Sequence, residues 1–147
     1  MDTEENGSKA DWAYDELKAL LKYSFANGID PLHIKGSIYG AIGLCQFMPS
    51  NIAKRAVDGD GDGKIDLFIA ADAVASLSNY LKKSGWKDGI ALDTQIKVLR
   101  SYNAMYIYAR TILALAETIR RIPALKATFT QKAICSHFLA TLQVRHP

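Results

Sequence analysis

In the stretch Asp58-Gly59-Asp60-Gly61-Asp62-Gly63-Lys64-Ile65-Asp66-Leu67-Phe68-Ile69-Ala70-Ala71-Asp72, four carboxylates fall within nine residues and glycines alternate with the first three of them. Counted from Asp58, acids stand at positions one, three, five and nine of an EF-hand loop, with Gly63 at six and Ile65 at eight. Calcium takes six to eight oxygens at about 2.4 Å, and a tightly curled loop turns alternate side chains inward to supply them. Lys64, at position seven, contributes its carbonyl oxygen in such a loop. Position twelve, where an EF-hand carries a bidentate Glu, is Ile69, and the next acid is Asp72 at the start of a helical pattern. The expected ligand set is therefore Asp58, Asp60, Asp62, Lys64, Asp66 and Asp72, in a lengthened loop spanning 58–72. The bland alternative is a solvated acidic turn. A signalling EF-hand is disfavoured by the single loop and only three Met residues, so a structural Ca²⁺ is the expected cofactor.

Outward from this loop the chain reads as mainly α. Downstream, Ala70, Val74, Leu77 and Leu81 recur at helical spacing up to Ser84-Gly85, with Lys82 and Lys83 near the negative end of the helix dipole. A short helix is expected over Thr94 to Ser101. Another is expected from about Ala104 to Arg121, with Ile112, Leu115 and Ile119 on one face and Pro123 beyond its end. Upstream, Tyr14, Leu17, Leu21 and Phe25 define an apolar stripe on a helix from Asp11 to Ala26, with Asp11 as N-cap and Asn27-Gly28 as stop. Between them lies a loop with Gly36, Gly40 and Gly43, and Pro49 stands where a short helix begins. Residues 1–10 read as a disordered head and 122–147 as an unassigned helical tail.

At 147 residues with 49% hydrophobic and 22% charged side chains, the chain suits one globular domain and is not a low-complexity sequence. The formal charge of +3 is small and the Lys and Arg residues are dispersed, so nucleic acid is not suggested. No stretch reaches the ~20 apolar residues of a membrane span, and MDTEENGSKADW lacks the basic and apolar regions of a secretory signal. Cys45 and Cys135 lack a C-x-x-C spacing, so two buried small hydrophobes are expected, a single disulfide being the alternative.

The segment Gly36-Ser37-Ile38-Tyr39-Gly40-Ala41-Ile42-Gly43-Leu44-Cys45-Gln46-Phe47-Met48-Pro49-Ser50 resembles the GS-x-x-GAMG-x-x-QFMPS stretch of the membrane-bound lytic transglycosylase B family. The resemblance continues through Ala56-Val57, the acidic loop, Asp72-Ala73, Asn79-Tyr80-Leu81 and Gly85-Trp86 to Arg100-Ser101-Tyr102-Asn103, with Tyr108 six residues after Tyr102. It covers about residues 11–120 and implies a partial lysozyme-like transglycosylase domain over 11–121, with the calcium loop embedded in it. The family cleaves the β-1,4 link between N-acetylmuramic acid and N-acetylglucosamine in peptidoglycan, one Glu serving as acid and then base while the muramyl 6-hydroxyl closes a 1,6-anhydro ring. That route differs from the two-carboxylate pattern of most glycosidases.

By resemblance, Ser37 lies beside sugar or N-acetyl oxygens and Gln46 lines the cleft floor over Phe47 and Met48. Tyr102 and Asn103 close the other wall, and Tyr108 offers a ring for sugar stacking. Taken singly, Phe47, Met48 and Tyr102 also suit a core, and Tyr108 suits a helix surface. The glutamates are Glu4, Glu5, Glu16 and Glu117, and none matches the family's acid, which precedes this segment in a Gly-Val-Glu-like sequence. Glu16 matches a non-catalytic helix position. The expectation is a truncated product, a fragment or a remnant with no catalytic residue of its own, monomeric and inactive alone. Three readings follow: a transglycosylase domain lacking its N-terminal lobe, a non-catalytic peptidoglycan-binding module, or a purely structural calcium-binding domain. The resemblance places it in the bacterial cell envelope.

Overall fold

The computed structural model describes the backbone of residues 3–122 and the side chains from Ser8 onward. Five α-helices and a short 3-10 turn follow one another: α1 (Thr3–Asn27), the turn Pro31–His33, α2 (Pro49–Arg55), α3 (Ala70–Lys83), α4 (Leu92–Tyr102) and α5 (Tyr106–Arg121). No strand occurs among the described residues, and extended pairing is limited to two isolated antiparallel bridges, Gly36 with Ile42 and Ile42 with Phe47. The mainly α expectation holds. The expected tail and Cys135 lie outside the described residues.

Two features depart from the sequence reading. Helix α1 begins at Thr3, so the segment read as a disordered head is helical from there, and Asp11 is an interior residue instead of an N-cap. Residues 3–10 contain no Pro, and the helix formers Glu4, Glu5, Lys9 and Ala10 outnumber the unfavourable Gly7, so a helix nucleated by packing further along extends through them. The second departure concerns the face of α1. Tyr14, Leu17, Leu21 and Phe25 are exposed, Phe25 by 79%, while Tyr23 and Ser24 are buried. The stripe directed inward is Glu16, Leu20, Tyr23 and Asn27, four residues at the same helical spacing.

The chain divides into two compact units, Met1–Leu77 and Ser78–Pro147, where the sequence reading drew one domain over 11–121. In the first, Ile42, Cys45, Phe47, Ile52, Leu67, Ala73 and Ala75 are buried together with Tyr23. Leu67 is wholly enclosed, which at ~25 cal/mol per Å² of apolar surface amounts to about 2–3 kcal/mol for its side chain. In the second, Ile96, Leu99 and Ala109 form a small core on which Leu81, Trp86, Ile112 and Leu113 pack. Leu115, expected on the apolar face of α5 with Ile112 and Ile119, is instead exposed. The Tyr80 hydroxyl donates to the Ser101 carbonyl at 2.6 Å and ties α3 to the end of α4.

Burial pushes the Cys45 thiol up from 9.0 to about 11, because the thiolate is denied water. The neutral thiol is the form the fold favours. Its contribution is fully present below pH 9, the unfolded value, and is lost as pH rises from 9 to 11. Native protein at pH 8.5 should therefore resist iodoacetamide at Cys45 and react once unfolded in urea, as read by mass spectrometry of the Cys45 peptide. Equal rates in the two states would contradict the buried placement.

Candidate functional site

The acidic loop is organised by its own carboxylates. Asp58 accepts the Gly61 N–H on Oδ1 at 2.6 Å and the Gly63 N–H on Oδ2 at 2.8 Å. Asp60 accepts from Asp62 N at 3.2 Å, Asp62 from Lys64 N at 2.8 Å and Asp66 from Phe68 N at 2.8 Å. Asp72, only 1% exposed in the first turn of α3, closes the loop. Its Oδ1 accepts the Gly59 N–H at 2.7 Å and its Oδ2 the Asp66 N–H at 2.6 Å, so one carboxylate pins both ends of the curl.

Asp58, Asp60 and Asp72 each place a carboxylate oxygen within 4.8 Å of the others. Asp62 and Asp66 stand outside this grouping, and the exposed Ile69 has no side-chain oxygen to offer. The donors are all carboxylate oxygens, the type that hard cations take. The electrostatics agree with such a cluster. Hydrogen bonding from the Gly63 N–H, with further help from Gly61, lowers the Asp58 pKa. For Asp60 the Asp62 N–H lowers the value, but loss of water and the negative charges of Asp62 and Asp72 outweigh it, and the net shift is upward.

The loop's exit joins directly to the Gly36–Ser50 segment. The Leu67 carbonyl accepts the Leu44 N–H at 2.8 Å, and Gly43 lies against the Leu67 backbone. On the other side, Asn27 Oδ1 accepts Ile65 N at 2.8 Å and the Tyr23 hydroxyl accepts Leu67 N at 3.4 Å. Polar groups of α1 thus satisfy backbone donors of the acidic loop.

Within the Gly36–Ser50 segment, Ser37 Oγ accepts the N–H groups of Tyr39 (3.3 Å) and Ala41 (3.1 Å), and the Ser37 carbonyl accepts Gly40 N at 2.9 Å. The turn raises Ile38 and Tyr39 into solvent. Ser37 is half-buried, with its hydroxyl hydrogen left to offer. Ile42 and Phe47 exchange both backbone bonds, at 2.9 and 3.0 Å, closing a tight loop over 43–46. At its corner stands Gln46, the one non-glycine residue with positive φ (49°) among those described. Its backbone N–H and its side-chain Nε2 both donate to the Gly43 carbonyl, at 3.1 and 2.9 Å. Phe47, 2% exposed, is core, and Met48 is half-buried.

The remaining expected residues belong to the second unit. Tyr102 packs edge-on against Tyr80, centroids 5.6 Å apart, and lies 6.3 Å from the Tyr108 ring. Both Tyr102 and Tyr108 are half-buried, and loss of water raises the Tyr108 pKa. Asn103 ends α4, its Oδ1 accepting the Met105 N–H at 3.1 Å, so its amide hydrogens are what it can offer a ligand. The structure therefore gathers Asp58, Asp60 and Asp72 in one place, Ser37 and Gln46 in one loop, and Tyr102, Asn103 and Tyr108 in one corner. Sequence reasoning missed the structural use of Glu16 and Asn27. The signal was available, since Glu16, Leu20, Tyr23 and Asn27 share helical spacing, but their polarity disguised it.

Helices carrying this turn and acidic loop are those of a transglycosylase SLT domain. The family model of that description matches residues 3–100, and the chain belongs to this family. Among its relatives, membrane-bound lytic murein transglycosylase B of Escherichia coli (strain K12) is 43% identical over 81 residues, 55% of this chain and 22% of that one. The soluble lytic transglycosylase SltB1 of Pseudomonas aeruginosa superposes with a TM-score of 0.71 at 25% identity, over 78% of this chain and 58% of that one. The Escherichia coli lytic transglycosylase Slt35, solved in complex with calcium, gives 0.53 at 42% identity, over 54% and 26%. The chain spans only part of each relative's length.

Proposed function

We propose that this chain is a peptidoglycan-binding domain of the lytic transglycosylase type, braced by one calcium ion, that holds glycan strands without cleaving them by itself. The observation that carries this reading is Gln46. A residue other than Gly with φ near +50° persists only where surrounding structure holds it, and such strain gathers at ligand-binding positions. Here the strained residue is exposed, its side chain is tethered to Gly43, and it sits four residues from Ser50 in the stretch that resembles the family's QFMPS motif. Ser37 on the same segment, and Tyr102, Asn103 and Tyr108 in the second unit, are the further proposed glycan contacts.

The absence of cleavage is argued from the described glutamates. Both oxygens of Glu16 are engaged by Ser50, and Glu117 is paired with Arg120 and Arg121 on the α5 surface. Each of these carboxylates is taken up by partners of its own unit. In the calcium proposal Asp58, Asp60 and Asp72 form the nucleus, with Asp62, Asp66 and the Lys64 carbonyl completing the shell. The work of such a domain lies in the cell envelope, where murein is found, and it acts there as a monomer.

Purified murein sacculi are expected to retain the chain in a pull-down, with Gln46→Ala weakening retention about tenfold, the loss of one or two well-placed hydrogen bonds. Chromatography of the incubated sacculi should show no 1,6-anhydro-muropeptides. Their appearance would overturn the non-cleaving part of the proposal, and wild-type protein left in the supernatant would overturn the binding part.

A further inference from the structure

Glu16 lies on the inward stripe of α1, 34 residues from Ser50, and its carboxylate grips that residue twice. Oε2 accepts the Ser50 N–H at 2.8 Å and Oε1 accepts the Ser50 hydroxyl at 2.7 Å. Ser50 is in the first turn of α2, whose Met48 cap supplies no side-chain acceptor, so an N–H that the helix leaves unpaired is satisfied from α1. The chain between Ser50 and Gln46 has little freedom. Pro49 fixes its own φ, Phe47 is buried, and Ile42 and Phe47 are locked by two backbone bonds.

We infer that Glu16 is a positioning residue for glycan recognition: by holding Ser50 it sets the register of Gln46–Ser50 and so the direction in which the Gln46 amide faces a sugar. The inference rests on the glycan-binding reading above and assigns Glu16 a part in it that requires no contact with the ligand. A two-point grip fixes orientation as well as distance. Removing both acceptors frees the start of α2 to rotate, and Gln46, already in a strained conformation held by Gly43, is the nearby residue with most to lose.

The test is calorimetric binding of N-acetylglucosaminyl-1,6-anhydro-N-acetylmuramic acid to the full 147-residue chain. Glu16→Leu should weaken binding about tenfold, in line with loss of hydrogen bonds to a charged group. Glu16→Gln should restore it to within about threefold, because the amide oxygen can accept the Ser50 N–H while its nitrogen donates to Ser50 Oγ. The decisive arm is the Gln46→Ala background. If Glu16 acts through Gln46, Glu16→Leu produces no further loss of affinity there, as expected for residues that share one interaction. Should Glu16→Leu fail to fold, Ser50→Ala, which deletes one of the two bonds, takes its place with an expected loss of about threefold, again absent in the Gln46→Ala background. The same factor of loss in both backgrounds, or undiminished affinity in Glu16→Leu, overturns the inference while leaving the glycan reading intact. No measurable binding by the wild-type chain overturns that reading and the inference together.

Discussion

Asp72→Ala is expected to destabilise the chain by about 3 kcal/mol and to abolish the response of its melting temperature to calcium. The carboxylate is almost fully buried and accepts the N–H groups of Gly59 and Asp66. Alanine leaves two donors without an acceptor in a desolvated place, at about 1–3 kcal/mol each. For a chain of this size that corresponds to a fall of roughly 10 °C in Tm. The wild-type chain should melt higher in millimolar calcium than in chelator, because an ion that binds only the folded state stabilises it by mass action. Asp72→Ala should give one Tm in both buffers, since the closing ligand and the closure of the loop are lost together. Wild-type melting that ignores chelator, with no heat of calcium binding, would contradict the calcium proposal. A variant melting within about 2 °C of wild type would contradict the bracing role of Asp72.

The second large effect is expected at Gly43, with φ +73°. A methyl group there meets the Leu67 side chain head-on and comes within 2.6 Å of the Leu67 carbonyl oxygen, the same oxygen that accepts the Leu44 N–H. Backbone against backbone cannot yield as a flexible side chain does. Gly43→Ala should therefore lose the Leu44–Leu67 bond and cost about 3 kcal/mol or more, with glycan binding falling alongside stability because the Gly43 carbonyl is what tethers Gln46. Gly61→Ala is the control. Gly61 has a similar φ of +80° but open space around its missing Cβ, so only the backbone penalty of about 1 kcal/mol is expected. Chemical denaturation of the two variants separates collision from strain, and equal losses would show that the Gly43–Leu67 contact contributes nothing.

Both predictions concern one hydrogen-bonded assembly. Asp72 closes the acidic loop, Leu67 carries its exit to Leu44, and the Gly43 carbonyl holds Gln46. Calcium retention and glycan recognition are therefore proposed to depend on the same few backbone contacts within the first unit. Tyr102, Asn103 and Tyr108 belong to the second unit, where Tyr102 packs between the Tyr80 and Tyr108 rings and Asn103 accepts the Met105 N–H.

Much of this was legible beforehand. Helices α2 to α5 lie near the positions that the sequence predicts, because Pro49, the apolar period of 70–81 and Pro123 are local signals that need no partner. The choice of Asp72 over Ile69 as the loop's closing residue also followed from spacing, and the structure places its carboxylate beside those of Asp58 and Asp60. Asp60, Asp62 and Asp66 each accept the N–H two residues on, and of these three only Asp60 also stands with Asp58 and Asp72, a difference of placement that residue type alone does not reveal.

What the sequence determined by itself, then, was the set of helices, the acidic curl and the family-like turn, all written in spacings of one to four residues. Only the tertiary structure decided which side of α1 turns inward. The apolar row Tyr14, Leu17, Leu21 and Phe25 is the stronger stripe by hydrophobicity, yet it is exposed, while Glu16, Tyr23 and Asn27 face the fold. The reason is that the first turn of α2 and the acidic loop present backbone N–H groups at Ser50, Ile65 and Leu67 that need acceptors. A helix face bearing a carboxylate, a phenol and an amide meets that need, and a purely apolar one does not.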